Sequence, residues 1–424
     1  MTTIDNGTSG TTMELDVEER AMLNGERGAA AQDALRFQME VGSFFGAERF
    51  VRITNAHVMG DIEVMGDGGM QRLQAVAPQA KCAVPTSSNA RCMHFDPAPD
   101  IRADAADVDK ERRIIAMLRD MRVATTDTCI NYQTVYQPKV GEHVAWGDTG
   151  TVIYANSVLG ARTNYEGGYS SFAAAITGRT PAYGFHLDEH RRGTLLYQLD
   201  APMSDLADWG ALGKLVGHPN QDYFAVPVFD GVREMPSSDA LKHLGASLAS
   251  YGSMAMFHMV GITPEAPTVQ AAFGDRPVPP AARITAADID AVFAAYRYVD
   301  GPSNLVVFSG PQLSLFEIMR LSELFGGRKV AAGMQCFATT SHALHAEASR
   351  LGYIGTLEAA GVRFLQGVCF YILQRLTDIR SENGWTNLVS NSGKLVNTIT
   401  AHRFNTVLRR TADCVDIACT GELR

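Results

Sequence analysis

The chain has 424 residues, of which 46% are hydrophobic and 20% are charged, and its formal net charge is −9. This composition excludes a largely disordered chain, and the acidic balance argues against a nucleic-acid partner bound through a broad basic face. The polar start MTTIDNGTSGTT has no signal-peptide pattern, and no stretch approaches the about 18 apolar residues of a membrane span. We therefore expect a cytoplasmic protein without a membrane partner.

The first third of the chain is predicted to alternate helices and strands after a flexible tail at 1–13. Acidic residues lead the first helix, which suits the positive end of a helix dipole. The predicted elements are a helix from Asp16 with a break near Gly25 or Gly28, a strand at 49–54, a turn at 55–61, a helix at 70–79, a strand at 81–85 and a helix at 107–121.

The stretch from residue 129 to about 192 differs from the rest of the chain. It is rich in Gly, Asn, Thr, Ser and Tyr and shows no long helical periodicity. Segments of irregular structure often contain functional residues. Within it, TVIYA at 151–155 is interpreted as a strand that leads into a polar loop.

Regular alternation resumes in the second half of the chain. Ser238 is predicted to cap a helix at 239–251, and capping boxes at 285–288 and 314–317 predict two further helix starts. The other predicted elements are strands at 253–262, 304–308 and 362–372 and helices at 341–352 and 355–361. Strands that alternate with helices predict an α/β fold with mainly parallel sheets.

Three polar loops are candidate ligand sites, because open α/β sheets bind ligands beyond the carboxyl ends of their strands. Loop 156–164 contains Arg162, whose guanidinium suits a carboxylate or phosphate, with a solvated turn as the alternative. Loop 390–394, SNSGK, places Lys394 beside Ser and Gly, but its spacing is not that of a nucleotide-binding loop. Loop 309–312, SGPQ, precedes a helix whose free N–H groups suit an anion, although a plain connection is the favoured interpretation.

The cysteines do not form a recognisable framework. Their number is odd, their spacing is wide and no CxxC occurs, so a disulfide scaffold or a zinc knuckle is not expected. Cys129 in a polar loop and Cys369 at a strand end are better placed to hold iron than the others. His258 lies in an apolar run and is interpreted as a core residue. Residue chemistry alone thus predicts an α/β protein with an anionic small-molecule site and a possible metal.

Several segments resemble the large, catalytic chain of aconitase X enzymes. They are AMLNGERG, AHVMGD, VGEHVAWGDTGTVIYANSVLGARTNYEGG, AAAITGRTPAYGFHLDEHRRG, HMVGITPEAP and SNSGK. The resemblance extends over residues 14–424. It implies an aconitase-like fold of several three-layer α/β/α subdomains with mainly parallel sheets, which lacks the small swivel domain. It therefore implies a separate small-subunit partner.

The resemblance also implies a hydro-lyase. Two activities are known in the family, the dehydration of cis-3-hydroxy-L-proline and that of mevalonate 5-phosphate, and both eliminate water from a small hydroxy acid. Such an elimination needs a base, a Lewis acid to polarise the departing hydroxyl, and cations or N–H donors that hold the anion.

Site residues implied by the resemblance come from several separated segments. Lys394 is expected to hold the substrate carboxylate or phosphate, and Glu265 is a candidate acid or base, with a structural role as the alternative. Asp148 and Thr149 stand where the family usually has Glu-Ser. The substrate-binding set implied by the family loops and the polar loops above is His57, Val58, Met59, Asn89, Asp148, Thr149, Asn156, Ser157, Arg162, Ser392 and Lys394.

The metal ligands implied by the resemblance are incomplete. The cysteine of the family's TC-x-x-Y segment corresponds to Cys129, and the cysteine of its DTC segment to Cys369. The cysteine of the GCPH segment corresponds to Gly310 within SGPQ, where Gln312 replaces the histidine. Three outcomes stay open: an iron–sulfur cluster with a substitute ligand such as Cys336 or an oxygen donor, a single iron, or no metal.

The leading hypothesis is the large subunit of a cis-3-hydroxy-L-proline dehydratase with iron as the Lewis acid. The alternatives are a mevalonate 5-phosphate dehydratase, a dehydratase or isomerase of another small hydroxy acid, and an inactive paralogue that only binds its partner chain. An RNA-binding role is not favoured, because the chain is acidic and lacks interleaved basic and aromatic residues.

Overall fold

The computed structural model describes residues 13–96, 98, 100–301 and 303–423. Residues 1–12 of the predicted tail lie outside this range, and Met13 is buried. In the described part of the chain, no helix is both long and apolar enough to cross a membrane. The cytoplasmic location and the lack of a nucleic-acid partner stay predictions.

The first third of the chain forms a parallel four-stranded sheet with helices around it. The strands β2 (Ala56–Val58), β3 (Thr86–Ser88), β4 (Val123–Ala124) and β5 (Ala145–Trp146) are ordered β4-β3-β2-β5. Strand β1 (Phe50–Arg52) pairs with β6 (Arg179–Pro181) in a separate antiparallel ladder. The helices are α1 (Val17–Leu23), α2 (Ala29–Phe44), α3 (Ile62–Val76), α4 (Ala105–Asp120), α5 (Asn131–Thr134), α6 (Thr149–Ser157) and α7 (Tyr169–Thr177).

The second sheet is also parallel and has four strands. They are β7 (Leu195–Asp200), β8 (Pro227–Asp230), β9 (His258–Met259) and β10 (Ala282–Thr285), ordered β10-β7-β8-β9. The helices are α8 (Leu206–Gly217), α9 (Ser238–Gly252), α10 (Val269–Phe273) and α11 (Ala286–Ala294). Glycines let α8 and α9 approach closely, since a Cβ at Gly213 would lie 2.5 Å from the Cβ of Ser247.

The third sheet has five parallel strands in the order β13-β12-β11-β14-β15. They are β11 (Ser303–Phe308), β12 (Met334–Thr340), β13 (Val362–Gln366), β14 (Trp385–Ser390) and β15 (Asn405–Leu408). The helices are α12 (Leu315–Phe325), α13 (His342–Arg350), α14 (Tyr353–Ala359), α15 (Leu376–Glu382), α16 (Gly393–Thr398) and α17 (Thr411–Thr420).

Local signals placed several helix ends correctly. Asp16 caps α1 with a capping box, and Gly28, with a φ of 92°, separates α1 from α2. The predicted capping boxes at 285–288 and 314–317 are both present. In the second box, Ser314 caps the N-terminus of α12, because its Oγ accepts from the Glu317 N–H. The helix end in loop 309–312 is thus capped internally.

Other predicted elements were wrong. The predicted strand at 151–155 lies inside α6, because a short apolar run buried on every side has no periodicity to separate helix from strand. The predicted turn at 55–61 contains β2, and the segment at 81–85 is irregular. Two strands are shorter than predicted, since β9 has two residues and β13 ends at Gln366. The cap of α9 is Ser237 rather than Ser238.

Candidate active site

The site lies where carboxyl ends of the first and third sheets face each other. Lys394 follows β14, Cys369 follows β13 and Asp148 follows β5. The two edges meet, because Lys394 Nζ lies 3.5 Å from Asp148 Oδ2. Parallel sheets bind ligands at such edges.

Packing of α16 against α8 and α9 fixes the position of Lys394. A Cβ at Gly393 would lie 2.8 Å from both Gly210 O and Ser247 Oγ, so this approach requires glycine. Ser392 caps α16, since its Oγ accepts from the Leu395 N–H at 3.1 Å, and it also donates to Gly310 O. The SNSGK segment is therefore attached to loop 309–312.

Lys394 is a buried cation in a pair with a buried carboxylate. Burial alone would lower the pKa of Lys394, but the carboxylate of Asp148, with Tyr371, Cys129 and Cys369 nearby, raises it above its usual value. Thr149 Oγ1 lies 3.4 Å from Lys394 Nζ. The ammonium therefore stays charged at neutral pH, with a carboxylate beside it.

Asp148 also caps α6. Its Oδ1 accepts from the N–H groups of Gly150 at 2.9 Å and Thr151 at 3.2 Å. The positive end of the helix dipole stabilises a carboxylate at this position. One oxygen thus caps the helix while the other faces Lys394.

His57 is fully buried in β2 and is neutral at physiological pH. Burial lowers its pKa to about 4. Its Nδ1 lies 2.8 Å from Ser87 Oγ, and its Nε2 lies 3.4 Å from Asn89 Oδ1. Asn89 in turn donates to Met59 Sδ at 3.0 Å, and its N–H donates to Val58 O. His57, Val58, Met59 and Asn89 therefore form one connected group, and their role in substrate binding stays a prediction.

The two predicted iron ligands share this site as thiols. Burial raises the pKa of Cys129 to about 11, with a further contribution from Asp148. Burial and the neighbouring Cys129 raise the pKa of Cys369 to about 12. In the chain without a metal, burial therefore favours the thiol form of both groups.

The side chains present do not fit an iron–sulfur cluster held by three thiolates. Gly310 has no side chain, and Cys336 is fully buried in the core around the third sheet. Within the described ranges, no three His, Cys, Asp or Glu side chains converge as a metal ion would require. The cysteine donors at this site are therefore two, Cys129 and Cys369.

Three predicted residues, Asn156, Ser157 and Glu265, lie near the opposite end of α6. Eight residues separate Thr149 from Ser157, which is about 12 Å along a helix. The Asn156 amide donates to Thr163 O and Ala255 O, and Ser157 Oγ accepts from the Phe257 N–H. Glu265 pairs with buried Arg191, which also bonds Asn156.

Arg162 is near this second group and is also engaged. It donates to His186 O at 3.0 Å and pairs with Asp188. The contacts of Asn156, Ser157, Arg162 and Glu265 thus brace the fold around α6. Their roles in substrate binding or catalysis stay predictions.

A buried charged group behind the cysteines was missed in the sequence. Arg91 pairs with Glu111 at 2.8 Å and with Asp127 at 2.9 Å. Its backbone N–H donates to Gly367 O and its carbonyl accepts from the Cys369 N–H. Arg91 therefore holds both cysteine loops. No local pattern around an isolated arginine could have indicated this, because its partners are distant in the sequence.

The comparisons with known proteins agree with this architecture. Family models for the first, second and third domains of aconitase X match residues 12–189, 193–294 and 303–420. The crystal structure of Thermococcus kodakaraensis aconitase X in its holo form matches with a TM-score of 0.84 and 30% identity, and covers 96% of this chain and 100% of that chain.

Relatives with assigned activities are dehydratases. The phosphomevalonate dehydratase large subunit of Thermococcus kodakarensis is 34% identical over 90% of this chain and 94% of its own length. The phosphomevalonate dehydratase large subunit of Methanothermobacter thermautotrophicus is 36% identical over 84% of this chain and 88% of its own length. The cis-3-hydroxy-L-proline dehydratase of Pseudomonas aeruginosa is 32% identical over 85% of this chain and 62% of its own length.

Fold and relatives together define an α/β hydro-lyase of the aconitase superfamily. The chain belongs to the aconitase X family. The predicted family, fold class and enzyme class are confirmed. Within the described residues no swivel domain is present, which is consistent with the relatives named large subunit.

Proposed function

We propose that this chain is the large subunit of a dehydratase for a small zwitterionic hydroxy amino acid, with cis-3-hydroxy-L-proline as the best candidate. One observation supports this choice above others, the buried pair of Lys394 and Asp148. A cation and a carboxylate side by side complement a substrate that has a carboxylate and an ammonium group on one carbon.

In this arrangement Lys394 binds the substrate carboxylate and Asp148 accepts from the ring ammonium. When a base removes the proton from the carbon next to the carboxylate, negative charge develops on the carboxylate oxygens. Lys394 stabilises this charge, because a fixed cation in a buried site does not have to reorganise. The carbon–oxygen bond to the neighbouring hydroxyl then breaks, and that oxygen takes up one proton, equal in number to the proton taken by the base, so that it leaves as water. The product is a cyclic enamine that tautomerises to an imine.

Iron as the Lewis acid is not part of this proposal, since the donor set does not fit the expected cluster. Glu265 is not assigned as the acid or base, because Arg191 holds both of its carboxylate oxygens. His57 and Asn89 position the first-sheet side of the site through their mutual contact.

Mevalonate 5-phosphate is the alternative substrate, and the identity to phosphomevalonate dehydratases favours it. Its phosphate and carboxylate together need more than one free cation. Lys394 is paired with one carboxylate, Asp148. Two further buried cations near the cysteine loops are each paired with two, Lys242 with Asp239 and Glu317, and Arg91 with Glu111 and Asp127, so the site has no surplus positive charge for a phosphate. The charge balance of the described site therefore favours the zwitterion.

A small swivel subunit is the proposed partner, because several relatives are named large subunits. An inactive paralogue that only binds this partner is the second hypothesis. The replacement of a family cysteine by Gly310 favours it, whereas the charged Lys394–Asp148 pair in the buried site argues against it.

The test is an assay of the large chain in complex with the small subunit. We expect the complex to remove one water from cis-3-hydroxy-L-proline and to leave mevalonate 5-phosphate unchanged. Mass spectrometry of both reaction mixtures measures this. Consumption of mevalonate 5-phosphate alone would show that the substrate assignment is wrong. Binding of both compounds without turnover would support the inactive paralogue.

A further inference from the structure

Loop 309–312 is built for glycine at the position of the missing cysteine. Gly310 has a φ of 65°, a conformation that strains any residue with a Cβ. A Cβ at this position would also lie 3.2 Å from the Cβ of Leu395. The loop is fixed by Ser392, which donates to Gly310 O. The cysteine is thus not merely absent, because the local backbone disfavours it.

Gln312 occupies the space between the two cysteine loops. Its Oε1 accepts from the Cys129 N–H at 3.3 Å, and its backbone N–H donates to Cys129 Sγ at 3.3 Å. Its Nε2 donates to Asp127 O and to Val368 O, both at 3.2 Å. We call these four hydrogen bonds the Gln312 bridge. They join the loop of Cys129 to the loop of Cys369.

The bridge engages both ends of the Gln312 amide. Oε1, the atom through which an amide could bind a metal, accepts from the Cys129 N–H, both Nε2 donors are used, and the residue is 1% exposed. Its backbone carbonyl also accepts from Lys242 Nζ at 3.2 Å.

We propose that the Gln312 bridge takes the place of an iron–sulfur cluster in this chain. The bridge holds the two cysteine loops together, and Cys129 and Cys369 remain free thiols. This inference does not depend on which hydroxy acid is the substrate, because its test is a measurement of composition rather than of turnover.

The deciding experiment is anaerobic purification of the complex with the small subunit, followed by reconstitution with ferrous iron and sulfide. We expect iron well below one atom per chain, no sulfide-to-iron absorption, and Cys129 and Cys369 both titrating as free thiols in denaturant. Two or more irons with matching sulfide, lost in Cys129→Ser, would overturn the proposal whether or not the complex turns over hydroxyproline.

A second experiment tests the bridge itself. In Gln312→Ala we expect alkylation of Cys129 and Cys369 by iodoacetamide to become about tenfold faster or more, since local opening becomes easier when buried hydrogen bonds are removed. Gln374→Ala is the matched control, because Gln374 Nε2 donates to Asp107 outside the site. Equal alkylation rates in wild type and Gln312→Ala would contradict the bridge. If Gln312→Ala does not fold, the iron and sulfide content of the wild type decides.

Discussion

At the scale of single residues, Lys394 is the group whose replacement has the clearest expected effect on activity. Lys394→Met removes the proposed partner of the substrate carboxylate and leaves Asp148 buried beside a methyl group. We expect kcat/KM to fall by about 100-fold or more, which corresponds to ~3 kcal/mol of lost transition-state stabilisation. Steady-state kinetics of the complex measures this.

Lys329→Met is the matched control, because Lys329 is exposed. It should leave kcat/KM within about twofold of wild type. A Lys394→Met enzyme with unchanged kcat/KM would show that the carboxylate binds elsewhere.

His57 makes the free energy of unfolding sensitive to acid. Its pKa is about 4 in the folded state because of burial, against 6.5 for the free side chain. Between these values the unfolded chain binds a proton that the folded chain does not bind. The stability contributed by neutral His57 is therefore present above pH 6.5 and is lost as the pH falls toward 4.

We expect the free energy of unfolding to be lower by about 2 kcal/mol at pH 5 than at neutral pH because of His57. Denaturant unfolding of wild type and His57→Gln at pH 7 and pH 5 measures it, and the variant should lose less stability on acidification. The exposed residue His218 supplies the control variant His218→Gln, whose loss should equal that of wild type. Equal losses in His57→Gln and wild type would refute the assignment to His57.

At the scale of elements, the N-terminal cap of α6 is also a residue of the proposed substrate site. Asp148 caps the helix through Oδ1 and faces Lys394 through Oδ2. Asp148→Asn keeps a capping side chain but removes the charge, whereas Asp148→Ala removes both. We expect Asp148→Ala to lose about 1 kcal/mol more stability than Asp148→Asn, because Asn caps helices about as well as Asp does.

Activity separates the two roles of Asp148. Both variants should bind the zwitterionic substrate poorly and raise KM by at least about tenfold, since neither has a charge to pair with the substrate ammonium. Thermal unfolding and steady-state kinetics of the same two proteins give both values. Full activity in Asp148→Asn would show that Asp148 is only a cap.

At the scale of the whole molecule, binding of the small subunit should stabilise the chain. A partner that binds only the folded state contributes about 2.7 kcal/mol when its concentration is 100 times the dissociation constant. We expect Tm of the large chain to rise with added small subunit and the two to elute together from size-exclusion chromatography. No change in Tm and separate elution would contradict a two-subunit enzyme.

The sequence predicted much of the fold because helix-capping patterns do not depend on how the helix packs against the rest of the molecule. The capping boxes at 285–288 and 314–317 depend on groups within one helical turn, so they hold wherever the helix is placed. The segment at 151–155 failed because its burial on every side comes from neighbours that the segment itself does not encode. That error also placed Asn156 and Ser157 in a loop beyond a strand, whereas they lie at the distant end of α6.

The sequence by itself determined the family, the α/β class, and the residue types at the meeting edges, including the substitution of glycine and glutamine in SGPQ. Only the tertiary structure decided how these groups are paired. Lys394 and Asp148 are 246 positions apart, and Gln312 joins loops 183 and 56 positions away from it. Long-range contacts of this kind depend on how the sheets pack against each other, and no local pattern records that packing.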